Sequence, residues 1–94
     1  MADINIAADG CAHGYHAKHG QKTISFHAAQ DCTVTFHPYP GNCFDVPSAT
    51  VAKDWTGAVN NETPTTFTPS IPCRHLTTYD ITFDSSVEHG KKTV

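Results

Sequence analysis

The chain has no apolar run near the roughly 20 residues that a membrane-spanning helix needs and no 3.6-residue apolar period long enough to organise a helical fold. Basic charge is also scarce. Six Lys and Arg stand against nine Asp and Glu, a net charge of −3 with histidine neutral. Proteins that hold nucleic acid usually present a basic face, so no nucleic-acid partner is expected, and no membrane span. Cys-x-x-Cys does not occur, which leaves zinc ribbons and thioredoxin-type redox motifs without support. There is no Gly-x-Ser-x-Gly elbow and no phosphate loop. The nine acids show no pairing suited to glycoside hydrolysis. The chain is therefore expected not to be an enzyme, with a small hydrolase as the least favoured reading.

What is present is short alternation. Ile4 to Ala8, Thr23 to Phe26, Cys32 to His37 and Tyr79 to Phe83 alternate apolar with polar side chains, the signature of half-buried strands. Turn residues fall between them at intervals of about ten, as in Pro38-Tyr39-Pro40-Gly41-Asn42 and Asn60-Asn61-Glu62. Gln30-Asp31 separates two alternating stretches, which predicts a hairpin from Thr23 to His37. Pro64 to Thr68 reads as an edge strand that Pro69 interrupts. Ala49 to Trp55 reads as either one helical turn or an edge strand, and residues 9–20 as a loop or an irregular edge. The expectation is one all-β domain over residues 1–84, a small Greek-key β-sandwich of cupredoxin or immunoglobulin type. Residues 85–94 are expected to form a polar, partly disordered tail.

Four cysteines, at 11, 32, 43 and 73, are an even number in a short chain and allow three pairings. Two disulfides in an oxidising compartment are the favoured reading, with Cys32 bonded to Cys43 and Cys11 to Cys73. That places the protein as secreted or periplasmic. Buried free thiols are the alternative.

Seven histidines are a surplus for this length, and neutral imidazole suits copper, zinc and nickel. His13-x-x-His16-x-x-His19 is the densest group. His37, on the outward face of its strand, could join it if the 13–19 segment runs alongside. Cys73-x-His75 is a second candidate, because alternate strand residues project to one side; it fails if Cys73 is in a disulfide. Against each stands plain solvent exposure. Thirteen Thr residues fall mostly on outward strand positions, which could bind ice or carbohydrate but more often make the wet face of a sheet.

The Gly20-Gln21-Lys22 lead-in, the strands Thr23–Phe26 and Cys32–Phe36, the Pro-Gly loop with Phe44 and the late Tyr79–Phe83 strand together resemble the cupredoxin-like sandwich of small extracytoplasmic bacterial domains. The resemblance implies a metal site near the last strand. The chain departs from the electron carriers, since His75 follows Cys73 by only two residues and Met1 is the sole Met. The sequence thus predicts an extracytoplasmic domain that binds a transition metal, copper first and zinc or nickel as well, through His13, His16, His19, His37, Cys73 and His75, for capture or delivery without turnover. The alternative is a metal-free binding or structural module with two disulfides and a protein partner in the cell envelope.

Overall fold

A computed structural model describes residues 3–84; the expected tail at 85–94 lies outside the described residues. Eight strands follow one another: β1 (Asp3–Ile6), β2 (Tyr15–Ala17), β3 (Thr23–Ala28), β4 (Cys32–His37), β5 (Ser48–Val51), β6 (Asp54–Ala58), β7 (Thr65–Pro69) and β8 (Tyr79–Phe83). No helix occurs among the described residues. Three strands make one sheet, in the order β1-β3-β6, and five make the other, β2-β8-β7-β4-β5. The domain is an all-β, two-sheet sandwich, as the alternation implies.

Each strand buries alternate side chains. Ile4 and Ile6 of β1, Ile24, Phe26 and Ala28 of β3, and Gly57 of β6 form the inner side of the three-stranded sheet. Cys32, Val34 and Phe36 of β4, Phe67 of β7, and Tyr79 and Ile81 of β8 line the other sheet. The layers meet at Phe26, whose ring lies 5.2 Å from Phe67, 5.8 Å from Phe36, 5.9 Å from Trp55 and 6.2 Å from Phe44. These separations suit tilted and edge-to-face aromatic contacts.

Two expectations are corrected here. First, β3 and β4 are not a hairpin. They belong to different sheets and face one another through Phe26 and Phe36. Alternation marks one buried face per strand; it does not say whether two such strands lie side by side or face to face. Second, β7 is an interior strand between β4 and β8. Pro69 is its last residue, where a missing N–H costs the ladder least. Of the two readings of residues 9–20, the edge holds for Tyr15–Ala17: this is β2, an edge strand that pairs in parallel with β8. β1 stops at Ile6 because Ala7 turns: its carbonyl accepts from the Gly10 N–H and its N–H donates to the Cys11 carbonyl. Gly10 has φ +87°, and a Cβ there would sit 1.8 Å from the Ile71 carbonyl oxygen.

Cys11 and Cys73 form the expected disulfide and staple the β1–β2 crossing to the β7–β8 connection. Cys32 and Cys43 do not pair; both are buried free thiols. Their positions explain it. Cys32 lies opposite Val51 at one end of the sandwich. Cys43 is fixed at the other end, where its N–H donates to Thr65 Oγ1 and its carbonyl accepts from the Asn60 N–H. Burial raises the pKa of both thiols.

Fully buried Asn42 shapes the long β4–β5 connection. Its Nδ2 donates to the carbonyls of Pro38 and Val46, and its Oδ1 accepts from the N–H groups of Phe44 and Asp45. Every polar atom of that amide is satisfied, as burial requires.

In denaturant without reductant, alkylation is expected to label two cysteines, and four after reduction; mass spectrometry reads the difference. Reducing the bridge, which spans 62 residues, is expected to cost about 4 kcal/mol on the chain-entropy estimate, measured by urea denaturation. Gly57→Ala would place a Cβ 2.4 Å from the Trp55 ring and 2.7 Å from Phe44, so it should destabilise by about 1–3 kcal/mol.

Candidate functional site

The histidines read from the sequence do not converge. Of the three, only His16 lies in β2; His13 precedes that strand and His19 is in the turn after it. His16 points outward from the five-stranded sheet, its Nε2 2.8 Å from Asp84 and its Nδ1 3.4 Å from Thr82. His19 lies beyond that strand with its Nδ1 2.8 Å from Glu62. His37 is exposed on the same outer face as His16, but β7 and β8 lie between their strands, roughly 14 Å at the usual strand spacing. His75 is exposed in the β7–β8 connection. Cys73 is withdrawn as a ligand because its sulfur is bonded to Cys11, and with it goes the Cys-x-His chelate. Among the described residues no three His, Cys, Asp or Glu side chains are gathered to hold an ion.

His13 has a different setting. It lines an open cleft of about 560 Å³ against the end of the three-stranded sheet. Ile6, Ala7, Ala28 and Ala29 give this cleft a largely apolar floor, and Asn5, His13, His27, Lys53 and Asp54 give it a polar rim. Cys11 also reaches its wall, so the disulfide braces it.

Three rim and near-rim residues form the tightest polar array among the described residues. Asp3, His27 and Asp54 come from β1, β3 and β6, which lie side by side, and all three project from the outer face. His27 Nδ1 is 2.5 Å from Asp54 Oδ1, and its Nε2 is 2.9 Å from Asp3 Oδ1. A carboxylate only accepts hydrogen bonds, so both ring nitrogens must donate, and only the imidazolium can do that. The hydrogen bond to Asp54, and then the one to Asp3, raise the His27 pKa above its ordinary 6.5.

Lys53 stands at the cleft edge with φ +74°, in the turn from β5 to β6. That left-handed conformation is uncommon for a residue with a side chain. Its carbonyl accepts from the Ala28 N–H at 2.8 Å, which anchors the turn to β3.

Sequence reasoning found His13 and missed Asp3, His27, Lys53 and Asp54. The signal is faint: His27 is a single histidine on an outward strand position, and Asp54 lies in the Ala49 to Trp55 stretch, which alternation does not assign to one element.

At the opposite end of the three-stranded sheet, Glu62 accepts from the Gly20 N–H at 2.7 Å and bonds His19. Those contacts, the backbone one first, hold its carboxyl below the ordinary glutamate range. No known protein family, curated protein or solved structure matches this chain at a significant level.

A depressed carboxyl pKa stabilises above the unfolded value and loses its effect as pH falls through the folded one. Wild-type urea midpoints should therefore drop between about pH 5 and about pH 3 more steeply than those of Glu62→Gln, which removes this linkage.

Proposed function

We propose that this chain is a binding module of an oxidising, extracytoplasmic compartment, and that it works by recognition at the His13–His27–Lys53 cleft without turnover. The Cys11–Cys73 bond supports the compartment, because such bonds persist where thiols are oxidised. The cleft supports the role: a largely apolar hollow of ligand size, with a few polar groups turned into it and one histidine of raised pKa, is the usual form of a small-molecule site. Its occupant would be a compact organic molecule with an apolar body over Ala28 and Ala29 and a polar end toward His13 and Lys53.

The observation that carries this reading is Lys53. A lysine held at positive φ gives up backbone free energy that glycine would keep, and Lys53 lines the cleft. Metal capture, the role expected from the histidine count, has less behind it. Cys73 is committed to sulfur, His16 and His19 to carboxylates, and His37 stands apart.

The test has two parts. Amide spectra recorded against a library of small organic molecules should shift at Asn5, His13, Ala28 and Lys53. Lys53→Gly should weaken that binding while leaving stability within about 1 kcal/mol of wild type, because it trades a side chain for relief of the backbone. Stoichiometric copper or zinc binding at neutral pH, with shifts at His16, His19 or His37, would replace this reading with metal capture.

A further inference from the structure

We infer that Asp3, His27 and Asp54 form a proton-operated latch that ties edge strand β1 to edge strand β6 across β3 and so fixes one wall of the cleft. The inference depends on the binding reading only for its consequence at the cleft; the latch is tested without any ligand.

The argument starts from donor counting. The imidazolium has two N–H groups and gives one to each carboxylate, at 2.5 Å and 2.9 Å. Neutral imidazole has a single N–H, so loss of the proton turns a lone pair toward one of the two carboxylates. The shorter contact, to Asp54, keeps the remaining hydrogen, and the Asp3 contact is lost.

The rest of the fold decides what then moves. Among the described residues β1 has one strand neighbour, β3. At its far end it stays tied, because the Ile6 carbonyl accepts from the Ala29 N–H and the Ala7 turn runs into the Cys11–Cys73 staple. At its near end Asp3 adds a polar tie beyond the buried Ile4 side chain, so losing that tie loosens the end at Asp3. Asn5, which lines the cleft, lies between the freed end and the fixed one at Ile6. The groups that face His27 or share its cleft are Asp3 and Asn5 from β1, Asp54 from β6, Lys53 from the β5–β6 turn and His13 from the segment before β2.

The sign follows from linkage. A histidine whose folded pKa is raised lends its full stabilisation below the unfolded value, and that is lost as pH rises through the folded pKa. The latch is closed in acid and open in base.

Histidine resonances and amide-exchange protection, corrected for intrinsic exchange, test this on the whole protein across that range. His27 should titrate above the ordinary histidine value, and both Asp3→Asn and Asp54→Asn should bring it down. Protection of Ile4, whose N–H faces β3 as the Ile6 carbonyl does, should fall as His27 loses its proton, by about tenfold for each pK unit that Asp3 contributes, while Phe26 is unchanged. Asp3→Asn should abolish the fall, since an amide can pair with either form of the ring. His13→Gln should leave it intact. Protection of β1 that does not change with pH, or a fall that persists in Asp3→Asn, would overturn the latch and leave the cleft's binding role standing.

Discussion

Phe26 sits where the two layers meet, and its inward position sets the register of everything around it. It is fully buried and packs against rings from β4, β7, the β4–β5 connection and β6. Because side chains alternate, burying Phe26 forces Ser25 and His27 to the outside. A one-residue slip of β3 would put His27 in the core and Phe26 in water. The outer polar array is thus fixed by the same contact that closes the core. Gly57 completes the arrangement: paired with Ile24 in the ladder, it leaves the space that Trp55 and Phe44 fill.

Around this core the long connections are held by polar bonds and one covalent bond. Asn42 folds the β4–β5 connection about a single amide, and Asn61 donates to its carbonyl from the β6–β7 segment. Thr65, also buried, accepts from Cys43 and donates to Thr63. Among the described residues no buried side-chain nitrogen or oxygen lacks a partner. Tyr79 does the same service near the disulfide: its hydroxyl accepts from Ala12 and donates to the Leu76 carbonyl. In a domain this small, where the core alone is thin, such closures stabilise loops that would otherwise be free.

The strands of β3, β4 and β8 were legible in the sequence because period-two burial is a local property. The two-layer class followed from their spacing. Strand partners were not legible, since pairing is decided across the fold. The Gln30-Asp31 turn reads as a hairpin and in fact passes the chain from one sheet to the other. The Cys11–Cys73 bond was reached, whereas Cys32 and Cys43 are too far apart along the sandwich to meet. At the site, composition pointed to histidine but not to which one. His13, His16 and His19 stand close in sequence, yet only His16 lies in β2, with His13 before that strand and His19 in the turn after it. His27 found two carboxylates from strands 24 and 27 residues distant, a convergence that no local window contains.

One pairing bears on how the molecule is made. Among the described residues β2 has β8 as its only strand partner, and that ladder joins Tyr15 to Ile81. Contacts this distant in sequence slow the search for the native topology. On the ribosome β2 has nothing to pair with until almost the whole described chain has emerged. Folding of this domain therefore waits until β8 has been made, and until then the apolar side of the first strands is open to the chaperones that meet a nascent polypeptide.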